Sequence, residues 1–229
     1  MPKNVKITTI ISPMDLLFPH SCQGCGRLGS PLCDRCKNYI KNLPVPNICP
    51  NCKRPRNDFS CRHCKNLPDF YYLGEKSGPL GNLIKTYKYS SVRALAKEFA
   101  SLLDAKLPNI SGPVAIVPLP TASHHLRSRG FDHIGLIAKH LAKLRHYQVV
   151  HPLIRAKNTV QVGTDEKTRQ IQADAAYVIK PGFRPNNATT YLLLDDVWTT
   201  GASMTSAVNK LKKTGTQKIA IATLVINHL

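Results

Sequence analysis

Two adjacent carboxylates, Asp195 and Asp196, end the apolar run Tyr191-Leu192-Leu193-Leu194, and the small hydroxyl-bearing turn Thr199-Thr200-Gly201-Ala202-Ser203 follows them. A helical pattern begins where the turn ends. The order reads as a buried strand, a loop at its carboxyl end and a helix amino terminus, the place where open α/β sheets bind ligands. Free backbone N–H groups and the positive end of the helix dipole suit a phosphate there. Gly201 lets the backbone come close, and Thr200 and Ser203 can donate hydroxyl bonds. The two acids stand where a ribose would lie beside a 5′-phosphate, able to accept from vicinal hydroxyls directly or through Mg²⁺. Acids before a turn also serve simply as turn and cap residues. The weight therefore rests on the whole string, not on the acids alone.

A second chemical constellation lies at the front of the chain. All eight cysteines fall between positions 22 and 64 as four C-x-x-C pairs: Cys22/Cys25, Cys33/Cys36, Cys49/Cys52 and Cys61/Cys64. Each pair can present two thiolates to one metal, and Zn²⁺ takes four in a tetrahedron. Four pairs supply one or two Cys₄ sites, structural because no open position is left for water. A disulfide framework is the competing reading, but the N-terminal pattern leads us to expect no secretion signal, which favours metal. Sequential pairing closes short loops at low entropic cost; interleaved pairing is the alternative. His63, between Cys61 and Cys64, reads as a solvated loop residue. Around it Lys53, Arg54, Arg56, Arg62 and Lys65 surround Phe59, a basic-aromatic grouping suited to single-stranded nucleic acid.

These groups must be positioned by a larger scaffold. The 229 residues divide into a Cys-rich zinc-ribbon module (1–70) and an α/β body (71–229) with a mostly parallel sheet. Within the body, 80–104 reads as one amphipathic helix, 114–119 as a short strand, 132–146 as a helix, 202–213 as a helix and 217–226 as the closing strand. On the first helix Lys85, Lys88, Arg93 and Lys97 occupy the polar face and receive no role from pattern alone. Residues 120–133 read as a cationic loop with His124, His125, Arg127 and Arg129, in which the two arginines would grip pyrophosphate oxygens. Residues 155–177 are polar and read as a mobile loop, then a short helix from Asp165, a lid over the site.

The net charge of +19 is spread along the chain, with 11 Lys/Arg against 4 Asp/Glu in residues 1–74 and 21 against 9 in 75–229. Two Zn(Cys)₄ centres would trim this to about +15. Such an excess favours a polyanionic partner, nucleic acid first. Pro13 and Asp15 interrupt the only apolar run near the N-terminus, and no spanning segment is present, so a cytoplasmic location is expected.

The string at 191–203 resembles the phosphoribosyl-pyrophosphate (PRPP) motif of type I phosphoribosyltransferases, which implies Asp195 and Asp196 as ribose ligands and Thr199 to Ser203 as the 5′-phosphate loop. Taken together, the segments resemble the ComF family of competence proteins, a zinc ribbon before a phosphoribosyltransferase-like body. Leu83 to Tyr89, with Lys88-Tyr89 at its end, matches that family's L-x-x-x-K-Y element. Val117 to Pro120 matches its V-P-[VL]-P strand end, and Leu126 to His133 its L-R-x-R-G-F loop. Arg155, Thr159 and Gln161 approximate its R-x-x-x-T-x-x-Q run, and Arg169 the Arg further on. The chain departs at Asp132-His133, where Asn-Gln is usual, and at Gln172, where Asn is usual. An ionised Asp132 would oppose an anion, so a partner among Arg127, Arg129 and His133 is expected. The resemblance implies handling of incoming single-stranded DNA in natural transformation, with a helicase-like ATPase and recombination mediators as partners. Two other readings stand beside it: a working phosphoribosyltransferase on an unknown acceptor, and a non-catalytic zinc-ribbon adaptor for protein partners. No catalytic residue is assigned.

Overall fold

In the computed structural model the residues described are 21–56, 59–64, 67–90, 92–156 and 176–227. Lys65, Thr159, Gln161, Arg169, Gln172 and the expected helix from Asp165 lie outside them. The elements are α1 (Asp34–Lys41), β1 (Asp69–Glu75), α2 (Gly78–Tyr89), α3 (Leu95–Lys106), β2 (Val114–Pro118), α4 (Ser123–Arg129), α5 (His133–Arg145), β3 (Gln148–Val149), β4 (Leu153–Arg155), β5 (Tyr177–Ile179), β6 (Thr190–Trp198), α6 (Ala202–Lys213) and β7 (Ile219–Ile226).

Five strands form one sheet in the order β1-β7-β6-β2-β3, and every pairing in it is parallel. A parallel sheet is covered on both faces, which explains why β2 is buried at all five positions and reads as an unbroken apolar run. On one face Leu192, Leu194, Ala220 and Ala222 pack with residues of α2, α3 and α5. On the other, Leu193, Ile221 and Trp198 pack with Met204 and Val208 of α6 and with Tyr177. From β2 the chain runs outward to β3 and returns beyond β2 to β6. The strand order therefore reverses between β2 and β6, and a crevice opens at their carboxyl ends.

The α/β class, the mostly parallel sheet and the Cys-rich front module are as expected. Two local readings need correction. The amphipathic stretch 80–104 is two helices, α2 and α3, interrupted after Tyr89; Ser90 caps the first, and serine competes with the helix for backbone bonds. The cationic segment 120–133 is not all loop. Ser123–Arg129 forms the short helix α4, stopped by Gly130 at φ 72°. No helix among the described residues is long and apolar enough to cross a membrane.

The Cys-rich segment is packed onto the sheet rather than tethered to it. Cys22, Leu32 and Ile40 belong to the same buried cluster as Leu73, Leu80 and Phe99. Lys37 of α1 reaches Glu98 of α3 at 2.7 Å. The hydroxyl of Tyr72 donates to the Pro46 carbonyl at 2.6 Å.

Candidate functional site

β6 runs through both acids, and its side chains alternate between faces. Leu192 and Leu194 point toward α2 and α5, while Tyr191 and Leu193 point toward α6. Asp196 follows the first set and Asp195 the second, so the neighbouring carboxylates diverge. Asp196 is buried, and its Oδ2 is held by Lys88 Nζ at 2.6 Å and by His133 Nε2. Arg129 Nη1 in turn lies 3.0 Å from His133 Nδ1. Nη1 is also 3.1 Å from Nε2 and so sits against the ring between both nitrogens; with Nε2 protonated, Nε2–H donates to Asp196 and Nδ1 is the nitrogen left to accept from Arg129. The Tyr87 hydroxyl donates to the His133 carbonyl at 2.6 Å and fixes the start of α5. Burial alone would raise the Asp196 carboxyl, but His133 and Lys88 outweigh it and hold it down at about 2.

Asp195 is half-buried and has a different environment. Its Oδ1 accepts the Asp196 backbone N–H at 2.8 Å. Burial, and then the charge of Asp196 beside it, push its carboxyl up to about 7. Tyr177, brought over this face by the β4–β5 hairpin, lies in the field of Asp195 and within hydrogen-bonding reach of Ser203 and Arg155; burial and that carboxylate push its phenol up to about 12. Arg155 lies over the Tyr177 ring at 5.7 Å. His125 is lowered by burial and then by His124, Arg129, Arg155 and Lys88 nearby. A cluster of positive groups thus gathers at this edge of the sheet, as an anionic ligand would require.

Thr199 to Gly201 link β6 to α6, and Ala202 and Ser203 open that helix. Thr199 and Thr200 are exposed, Gly201 is the left-handed residue (φ 77°) before α6, and Ala202 N–H meets Thr200 Oγ1 at 3.4 Å. Ser203 is exposed in the first turn. Gly201 is dictated by its surroundings: a Cβ there would stand 2.2 Å from the Trp198 ring. The indole Nε1 of Trp198 is buried without a hydrogen-bond partner among the described residues.

Other candidates are redistributed. Arg127 and Arg129, two residues apart on α4, face different ways: Arg127 is exposed and Arg129 is buried against His133, so they do not converge on one anion. Asp132, for which a partner among Arg127, Arg129 and His133 is expected, takes up a capping role. It caps α5, accepting from Gly135 N–H at 3.1 Å, and Thr121 approaches it at 3.4 Å. Arg56 is 5 % exposed; it donates to the Phe70 carbonyl at 2.8 Å and lies 5.1 Å over the Tyr72 ring. It is a structural residue, not part of a nucleic-acid face. Phe59 is partly committed to Tyr71, with ring centroids 4.8 Å apart. Lys53, Arg54 and Arg62 remain exposed. Lys88, Arg155 and Tyr177 gather beside the acid pair although pattern reasoning gave them no role there, and His133, expected beside Asp132, meets Asp196.

The cysteines group sequentially, Cys22, Cys25, Cys33 and Cys36 in one cluster and Cys49, Cys52, Cys61 and Cys64 in the other, with all sulfurs of a cluster within 4.8 Å of one another. Sulfur pairs stand at 3.7 Å (Cys25–Cys33), 3.6 Å (Cys52–Cys61) and 3.9 Å (Cys49–Cys64). A tetrahedron with Zn–S bonds of about 2.3 Å has edges of about 3.8 Å. Both clusters could therefore hold a metal ion. The two knuckles share one hydrogen-bond scheme. Cys22 and Cys49 N–H donate to the Arg27 and Arg54 carbonyls, and Gly26 and Lys53 N–H donate back to Cys22 and Cys49. The fifth residue is left-handed in both, φ 78° at Gly26 and 61° at Lys53.

No family model matches the chain. It is 25 % identical over 202 residues to competence protein ComFC of Bacillus subtilis, covering 80 % of this chain and 79 % of that protein. The chain is thus similar to a curated competence protein along most of its length. It is likewise 25 % identical over 205 residues to competence protein F of Haemophilus influenzae, covering 83 % of this chain and 88 % of that one. ComFC of Streptococcus pneumoniae matches at 21 % over 95 % of this chain and 94 % of its own. Among solved structures, a hypoxanthine phosphoribosyltransferase from Staphylococcus aureus covers 61 % of this chain and 65 % of its own at 14 % identity, with a TM-score of 0.36.

Proposed function

We propose that the protein acts in natural transformation, handling incoming single-stranded DNA, and that it carries a site for a phosphorylated ribose of the PRPP type. The observation that carries the first part is the similarity to competence proteins along 80 % or more of the chain. The +19 charge and the exposed Lys53, Arg54 and Arg62 support a nucleic-acid partner. The ribbons fit zinc, which would fold and brace them. The test is fluorescence anisotropy of a labelled oligonucleotide on the zinc-loaded protein. Affinity should fall linearly in log–log form with salt as counterions are released. No binding at low ionic strength overturns it.

The ribose-phosphate part is supported by the Gly201 cup, the hydroxyls of Thr200 and Ser203, and the half-buried Asp195 beside Arg155 and Tyr177. Asp195 is the acid available to ribose hydroxyls or to Mg²⁺, since Asp196 already has Lys88 and His133. PRPP with Mg²⁺ should raise the melting temperature. It should also perturb the fluorescence of Trp198, the sole tryptophan, beneath the loop. Neither response, or an unchanged response in Asp195→Ala, removes this part. A phosphoribosyl-transfer step needs an acceptor, and no segment reads as a nucleobase site, so binding is proposed and turnover is not. A helicase-like ATPase and recombination mediators remain the partners this role calls for.

A further inference from the structure

A concavity away from the acid pair remains unexplained. Between the second cysteine cluster and α6 lies a groove of about 490 Å³, lined by Asn51, His63, Leu67, Pro68, Val208 and Asn209 among others. Asn209 also lines an adjoining groove of about 300 Å³ together with Lys210, Lys212 and Lys213. No acid among the described residues lines either one. Asp69, the acid next to Pro68 in the chain, stands outside the lining. At the ribbon end Lys53, Arg54 and Arg62 are exposed, and Arg54 Nη1 meets His63 Nδ1 at 3.3 Å. Asn51 is fixed by its bond to Cys64 Sγ at 3.4 Å. Lysines in the last turn of a helix suit its dipole. That accounts for their sign, not for an acid-free, partly apolar groove beside them.

We infer that the two grooves form one track for a single-stranded nucleic acid, joining the second ribbon to the carboxyl end of α6. The apolar section at Leu67, Pro68 and Val208 takes the flat face of a base, and the Asn209 amide reaches its edge. The backbone phosphates lie on Arg54 and Arg62 at one end and on Lys210 and Lys213 at the other. The last two are three apart and share a helix face. Mixed apolar and cationic lining of this kind tolerates any base, because every base has a stacking face. The inference rests on the single-strand reading above and adds the surface that carries it.

The experiment is anisotropy of an oligo-dT across a salt series on the zinc-loaded full chain. The variants are Lys210→Ala/Lys213→Ala, Asn209→Trp, and Lys139→Ala/Lys143→Ala as a charge-matched control on the exposed face of α5. The α6 pair should weaken binding about 10-fold and lower the salt slope by about 1.4, the contribution of two phosphate contacts on a single strand. Asn209→Trp, which fills the shared groove, should weaken binding with the slope unchanged. Equal losses in the α5 and α6 pairs, or full affinity in Asn209→Trp, overturn the track while the single-strand reading stands. No binding by the unaltered protein overturns both. Asn209, Lys213, Lys139 and Lys143 are exposed and Lys210 is partly buried, and unchanged zinc content and circular dichroism establish that each variant is folded.

Discussion

Replacing Asp195 by Asn should stabilise the protein at neutral pH and erase part of its pH dependence. The carboxyl rises from 3.8 to about 7 on folding, because burial and then the Asp196 charge disfavour ionisation. Between those values the folded chain binds more protons than the unfolded one, so stability falls as pH rises through that window. A shift of about three units corresponds to about 4 kcal/mol. Asp195 is only half-buried, and solvent screening reduces this to about 2 kcal/mol. Asn carries no charge at any pH, and its side-chain oxygen can still accept the Asp196 N–H. Urea unfolding of zinc-loaded protein between pH 5 and 8 should therefore show the variant about 2 kcal/mol more stable at pH 7.5. For a chain of this size that is a gain of about 4–8 °C in melting temperature. The gap between the two stability curves should narrow as pH falls from about 7 toward 5, and it closes only near 3.8, the unfolded value. Parallel curves, or a variant less stable at pH 7.5, refute the reasoning. The same variant should lose the thermal shift produced by PRPP and Mg²⁺, the signature of a site whose strain serves a ligand.

On the opposite face of β6 the expected sign reverses. Asp196→Ala leaves Lys88 without its counter-ion in a buried site and should cost about 3–5 kcal/mol by denaturant unfolding, with Asp196→Ala/Lys88→Met recovering part of it. Lys53→Gly should add about 1 kcal/mol, because the left-handed φ of 61° strains a lysine and suits a glycine, as Gly26 already does in the first knuckle. Gly201→Ala should cost at least about 2 kcal/mol and alter the Trp198 emission spectrum, since both the φ of 77° and the indole ring oppose a Cβ.

The strand–loop–helix unit at 191–203 and the sequential cysteine clusters were legible because each depends on short-range spacing. Spacing along one strand also carries alternation, but types alone do not say which neighbour meets a cation. Asp196 is engaged only because α2 ends, and α5 begins, beside it. Lys88 was missed for that reason: helical periodicity places it on the polar face, yet it stands in the last turn, where the axis delivers a long side chain to the sheet edge. The Lys88-Tyr89 match to the family element was the available signal. Arg56 misled in the opposite direction. A basic residue in a polar loop reads as solvated, and only the fold brings Tyr72 and the Phe70 carbonyl over it. Asp132 read as a charge partner but serves as a helix cap, which its place immediately before the apolar-periodic residues of α5 already signalled.

The ribbon segment and the sheet share one interior, with Cys22, Leu32 and Ile40 seated among side chains of β1, α2 and α3. A front end built in this way has no seam along which to swing free. Thiol oxidation at the first cluster, or loss of any metal it holds, would disturb the same interior that the carboxyl edge of β6 rests on, so the whole molecule, not a detachable finger, would register it.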